Sequence, residues 1–259
     1  MGDRRSSAND RQGGKRGAAP AGVPPPHRSN KTQPAQAQVR PEVHAQAHPQ
    51  AHLDKPPRPR PVRSICVYCG SSPGRSPAYA EAARSLGRLM AENDIGLVYG
   101  GGGLGLMGEV ARAVLAGGGR VTGIIPEFLT EKEHMLREVT DLVVVADMHE
   151  RKRLMFERAD AFVALPGGVG TLEELVEMLT WQQLGRHAKP ILLANIDGFW
   201  EPLLALLAHM RTAQFIRPNL EVSILKAERV EDILPRLNAA AAHVPEAAKA
   251  MAPELARKM

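Results

Sequence analysis

From Ser64 onward this chain alternates short, almost wholly apolar runs with stretches of helical periodicity, and few folds accept that order. Runs as short as Ala161 to Leu165 read as buried strands. Strands separated by helix-length segments are joined by crossovers, which lay them parallel and put helices on both faces of one sheet. The expected strands are Ser64 to Tyr68, Gly96 to Tyr99, Val121 to Ile125, Leu142 to Val145, Ala161 to Leu165, Ile191 to Ala194 and a last one near Val222 to Leu225. The expected helices are Pro77 to Glu92, Leu106 to Ala116, His149 to Arg158, Leu172 to Leu184, Phe199 to Arg211 and Val230 to Leu237. Pro77 suits the first turn of its helix. The expected fold class is therefore α/β, a doubly wound parallel sheet, in which ligands bind beyond the carboxyl ends of the strands.

Residues 1–62 read differently. They are rich in Pro, Ala, Gln, Arg and His and poor in large apolar side chains, the composition of a disordered extension. Residues 1–63 hold 12 Lys/Arg and 4 Asp/Glu while the rest hold 21 and 24, so the overall charge of +5 conceals a globular part at −3. That balance argues against a basic nucleic-acid groove on the sheet domain. It leaves the extension to be an RNA-binding or membrane-surface arm, a transit peptide, or a solvated and dispensable tail. His27, His44, His48 and His52 lie there at spacings that make weak metal sites. One globular domain is expected over residues 63–238, with an Ala-rich tail over 239–259. No apolar run reaches membrane-spanning length and the N-terminus has no signal core, so a soluble, cytoplasmic protein is expected. Cys66 and Cys69 have C-x-x-C spacing but fall in the first strand and its exit turn with no second pair, and read as reduced structural thiols.

Four strand-end loops carry chemistry. Leu165 to Glu174 joins a glycine turn to a Glu-rich helix start: the glycines let backbone N–H groups approach an anion, and the helix adds its positive dipole end. Glu173 and Glu174 are the unusual part, since carboxylates beside a phosphate cradle are costly unless they meet a cation formed during reaction. Gly100 to Gly108 has more glycine than a connecting turn needs, and reads either as a flexible, closely packed turn or as a phosphate contact through Gly101, Gly102, Gly105, Met107 and Gly108. Cys69 to Gly74 offers small residues and hydroxyls. Asp147 to Arg153 places basic residues at a helix start, where they oppose the dipole, so an anion partner for Arg151 would explain them. His149 reads as a general acid or as a residue orienting its neighbours. A dinucleotide fingerprint after the first strand is missing, which disfavours a dehydrogenase.

These residues together resemble one family. Gly100 to Gly108, Met148 to Lys152 and Pro166 to Glu174 are similar to the motifs of the LOG ("Lonely Guy") cytokinin-activating phosphoribohydrolases, whose bacterial members were long labelled lysine decarboxylases. The likeness runs from about Arg63 to Leu237 and extends to Cys66 to Ser72. It implies a Rossmann-like nucleotide-binding domain with Arg151 and Glu174 catalytic. It further implies substrate contacts from Lys152, from Gly167, Gly168, Val169, Gly170, Thr171, Leu172 and Glu173 around phosphate and ribose, and from Thr180 and Glu133. Glu131 competes with Glu133 for its role.

The implied reaction is hydrolysis of the N-glycosidic bond of a purine ribonucleoside 5′-monophosphate, by an enzyme acting on N6-prenylated AMP or on plain AMP. No metal or organic cofactor is implied, and the resemblance implies a homodimer. A decarboxylase would need pyridoxal phosphate on a lysine, yet Lys132, Lys152, Lys189 and Lys226 sit in no recognisable cofactor motif. A non-catalytic nucleotide-binding or nucleic-acid-binding module, its basic extension touching RNA or DNA, is the reading from a different class.

Overall fold

Seven parallel strands form one sheet in the order β4-β3-β2-β1-β5-β6-β7. The computed structural model describes residues 62–132, 134–216 and 222–243. The strands are β1 Ser64–Tyr68, β2 Gly96–Tyr99, β3 Val121–Pro126, β4 Asp141–Val145, β5 Ala161–Ala164, β6 Ile191–Ala194 and β7 Ile224–Ala227. The helices are α1 Pro77–Glu92, α2 Gly105–Ala116, α3 Met148–Arg158, α4 Val169–Gln183, α5 Glu201–Thr212 and α6 Ile233–Ala242. The expected disordered extension lies, up to residue 61, outside the described residues, and so does the tail beyond 243. Val62 belongs to the sheet domain, since it is buried and its N–H donates to Asn238 Oδ1 at 3.2 Å.

Alternation along each strand sorts the core into two layers. Ile65 and Val67 of β1 and Val163 of β5 face α1, α2 and α6, while Cys66, Tyr68 and Phe162 face α3, α4 and α5. α1 illustrates how a sequence sets its own limits. Ser76 caps it by accepting from Ala78 N, Pro77 opens it, and Asn93 ends it by donating from its side chain to Leu89 O. Its Ala82, Ala83, Leu86 and Met90 form one buried stripe, and burying Leu86 and Met90 contributes roughly 2–3 kcal/mol each. Leu86→Asp would break that stripe.

Four elements differ from expectation, and α6 does so by starting at Ile233, after a separate short turn over Val230–Asp232, and running on to Ala242. α4 starts at Val169 inside the glycine run, which brings Thr171 into its first turn. β7 lies two residues further on than expected, because Lys226 is tolerated on an edge strand where its amine meets Glu201 Oε1 at 3.0 Å. α5 begins at Glu201, with Pro202 in its first turn. No helix among the described residues is long and apolar enough to cross a membrane.

Candidate active site

The connections leaving β1 and β5, which are neighbours in the sheet, lead to helices on opposite faces, and the loops part at their carboxyl ends. Gly70 N donates to Pro166 O at 3.1 Å, and Gly70 O accepts from Leu106 N at 3.0 Å, so the loops after β1 and β5 and the start of α2 are bonded to one another. A side chain on Gly105, which has φ +54°, would run into the Ser71–Ser72 backbone. The glycine loop is further tied to the segment after β3, through Gly103 N to His134 O at 2.9 Å and Leu136 N to Gly101 O at 3.0 Å.

Arg151 lies beneath this surface and is only 5 % exposed. Asp147 caps α3 by accepting from Glu150 N at 2.9 Å, and Glu150 reaches back to Ala146 N at 3.2 Å. That start sends Arg151 across the ends of β2 and β3, where Nε donates to Ile124 O at 3.1 Å and Nη2 to Gly100 O at 3.0 Å. A Cβ on Gly100 would overlap the guanidinium, so the glycine there makes room for the arginine. Backbone carbonyls, rather than an anion alone, explain a basic residue at this helix start.

Glu174 stands half-buried on the second turn of α4. Burial pushes the Cys66 thiol and the Tyr68 phenol well up, and the Glu174 charge adds to both, while Arg151 pulls Cys66 the other way. Glu174 and Arg151 thus act on the same buried thiol from α4 and α3. Cys66 and Cys69 are both free thiols.

The two glutamates separate clearly. Glu173 Oε1 accepts from Lys152 Nζ at 2.7 Å, and Glu177 Oε1 takes the same amine at 3.1 Å. Burial works against the Lys152 charge, but the two carboxylates outweigh it and hold its pKa above the ordinary value. Glu177 was not foreseen, although its i+4 spacing from Glu173 was there to read. Its Oε2 is buried with no partner among the described residues. Tyr68, Tyr79 and Phe199, which border the site, were also missed, being apolar residues on separate elements.

Val169, Gly170, Thr171 and Leu172 occupy the first turn of α4, preceded by Gly167 and Gly168. Apart from chain neighbours and, for Gly170, the nearby backbone of its own helix, no atom of the described residues lies within 4 Å of where a side chain on Gly168 or Gly170 would stand. Thr171 is 4 % exposed, and its hydroxyl stands against Gly167, where a side chain on that glycine would meet it. Thr180 is not brought to this place: it is exposed, donates to Val176 O at 2.8 Å, and stands about 18 Å from Gly168 along the helix. Glu133 lies outside the described residues, and Glu131 is exposed in the turn before it.

No group of three or more His, Cys, Asp or Glu that could hold a metal occurs among the described residues. Of the four lysines among the described residues, Lys132 is exposed and the other three are already engaged. Lys152 is engaged by two carboxylates, Lys189 donates to Phe156 O at 2.6 Å, and Lys226 pairs with Glu201.

A parallel sheet with its loops gathered at a switch point, a bare helix start, a buried arginine and a half-buried glutamate define the class: a nucleotide-type α/β domain with paired charges beside a phosphate-sized loop. The family model described as "Possible lysine decarboxylase" matches residues 107–237. The cytokinin riboside 5′-monophosphate phosphoribohydrolase LOG7 of Arabidopsis thaliana is 47 % identical over 175 residues, covering 68 % of this chain and 81 % of that protein. Its counterpart LOG of Oryza sativa subsp. japonica is 46 % identical over 184 residues, covering 71 % and 75 %. The chain belongs to the LOG family. Among solved structures, a molybdenum cofactor carrier protein from Chlamydomonas reinhardtii aligns with TM-score 0.54 at 19 % identity over 70 % of this chain and 98 % of its own. A molybdenum cofactor binding protein from Rippkaea orientalis aligns with TM-score 0.52 at 23 % identity over 70 % and 97 %. At that identity the likeness is one of fold.

Proposed function

We propose that this chain hydrolyses the N-glycosidic bond of a cytokinin riboside 5′-monophosphate, an N6-modified AMP, to free base and ribose 5-phosphate. The observation that carries the reading is the bare start of α4, with Gly168, Gly170 and Thr171, set within two turns of Glu174 in a chain 47 % identical to LOG7. The backbone N–H groups and dipole of α4 take the 5′-phosphate, and Gly101, Gly102, Gly105, Met107 and Gly108 border the nucleotide. When the C1′–N9 bond breaks, its electron pair leaves with the purine and positive charge builds on the ribose. Glu174 stabilises that charge and aligns the water whose oxygen adds to C1′, and the proton that this water gives up ends on the purine anion, which leaves as neutral base. Arg151, a cation held by carbonyls in a buried setting, offsets the negative charge on the departing base. Lys152 and Glu173, joined as a pair, brace the loop against α3 and touch the ribose.

The chain acts as a homodimer in the cytoplasm. Val169, Leu172, Val176 and Leu184 form an exposed apolar line on α4, a surface that a second copy would cover, and Thr180 lies among them. Across such an interface Thr180 serves the partner's substrate.

Chromatography of purified chain incubated with N6-isopentenyl-AMP and with AMP tests the reading. Free base from the prenylated nucleotide in preference to AMP is expected. Equal release makes the chain a plain AMP nucleosidase, and release from neither overturns the enzyme.

A further inference from the structure

The ammonium of Lys152 stands between two carboxylates of α4, with Glu173 Oε1 at 2.7 Å and Glu177 Oε1 at 3.1 Å. One carboxylate balances one amine, so the second calls for a reason. We propose that Glu177 is a positioning residue for the reaction, holding Lys152 by itself while Glu173 turns from the amine to a ribose hydroxyl of the bound nucleotide. The inference rests on the reading of the site given above and adds to it a residue that lies past the Pro166 to Glu174 motif.

Three observations carry it. The first is the burial of the amine: the Lys152 side chain is only 13 % exposed. An ammonium so far out of water is costly when unpaired. If Glu173 were its sole partner, each nucleotide that drew Glu173 away would leave that charge alone.

The second is the difference between the two glutamates. Glu173 is 51 % exposed and adjoins Glu174, within one turn of Gly170 at the bare start of α4, so water and ligand both reach it. An exposed carboxylate of this kind exchanges partners at small cost. Glu177 is 24 % exposed and stands one turn further along α4. There it lines a crevice of about 300 Å³ between α3 and α4, beside Trp181, whose ring meets Phe156 edge to face at 5.2 Å. Arg153, which also lines that crevice, pairs with Glu157 at 3.1 Å and so does not compete for Glu177.

The third is an oxygen that stability does not explain. Glu177 Oε2 is buried and has no hydrogen-bond partner among the described residues. Its charge also bears on the buried Tyr68 phenol of β1. A side chain kept only to stabilise the ligand-free fold would not leave half its carboxylate in that state, since Glu173 already pairs the amine. A carboxylate that must hold the amine alone while the nucleotide is bound does need its full charge.

Calorimetric titration of the full-length Glu174→Gln chain with AMP tests this, because turnover then does not enter the measurement. Adding Glu177→Gln is expected to weaken AMP binding by about tenfold, since Glu173 is then locked on Lys152. Adding Lys152→Met as well is expected to bring the affinity back to within about threefold of the Glu174→Gln chain, because Glu173 no longer has an amine to hold. A packing role for Glu177 would give a loss that Lys152→Met does not relieve. In turnover of N6-isopentenyl-AMP, Glu177→Gln alone should raise KM by about tenfold and leave kcat within about twofold. Unchanged AMP binding, a loss that persists without the amine, or a fall confined to kcat overturns the role of Glu177. Base release by the unmodified chain is read separately, so a chain that shows the binding pattern and cleaves nothing would sink the enzyme reading and keep the role of Glu177, and an enzyme whose affinity ignores Glu177 would do the reverse.

Discussion

The two glycine loops look alike on paper and differ in the fold. In the loop after β2, side chains at Gly100, Gly103, Gly105 and Gly108 would collide with Arg151, His134, Ser71 and Gly103 respectively, so packing accounts for those glycines. In the loop after β5, Gly167 is pressed by Thr171 but Gly168 and Gly170 face open space, with no left-handed backbone to demand glycine there. Glycine density therefore marks two different things: a frame that positions Arg151, and a bare surface where a ligand comes close. The frame carries the charge and the bare turn carries the contact.

The contrast can be broken by paired substitutions. Gly100→Ala should be the most damaging, since the new methyl displaces the Arg151 guanidinium: base release should fall by about 100-fold or more, and stability by roughly 1–3 kcal/mol in urea unfolding. Stability and activity both unchanged would show that the first loop is no frame.

Protonation at the far end of α4 supplies a control for stability alone. His187 is buried, its Nδ1 accepting from Lys189 N at 3.2 Å and its Nε2 lying 3.0 Å from Met178 O, and burial lowers its pKa to about 4. Because the folded value lies below the unfolded one, the neutral ring stabilises the fold above about pH 6.5. That contribution is lost as pH falls from there toward about 4, by roughly 2–3 kcal/mol in total. Urea midpoints at pH 7.5 and 4.5 should show this loss in the unmodified chain and a smaller one in His187→Gln.

Gly170→Ala should do the converse of Gly100→Ala. A helix position with open space accepts the methyl and gains roughly 0.5–1 kcal/mol, while base release falls by about tenfold because the substrate meets it. Lost stability with intact activity would reverse the assignment of the two loops. The smallest effect belongs to Lys152→Ala, which unpairs Glu173 and Glu177: it should lower stability by about 1 kcal/mol in the same unfolding assay and, through the ribose contact, base release by about threefold.

Much of this is legible in the sequence. The limits of β1 and α1 could be read from Ser64 to Tyr68 and from the Ser76-Pro77 start, because local capping and burial decide them. The start of α4 was obscured because Gly168 and Gly170 are poor helix formers whose backbone is set by their surroundings. The edge strand β7 was blurred by Lys226, whose charge looks like a strand's end until Glu201 stands beside it. In the site, Arg151 and Glu174 stood out as chemically odd for their positions. The Ile124 and Gly100 carbonyls that hold Arg151 lie on β3 and just past β2, 27 and 51 residues away, a distance over which spacing carries no signal. The same holds for the Tyr79–Phe199 pair beside the site.

The most direct test of the whole account is a single-turnover measurement of base and ribose 5-phosphate from N6-isopentenyl-AMP, comparing the unmodified chain with Glu174→Gln. The unmodified chain should release the two products in equal amounts, and Glu174→Gln should release neither while melting as the unmodified chain does. Equal release by both would contradict the assignment of glycosidic-bond cleavage to Glu174.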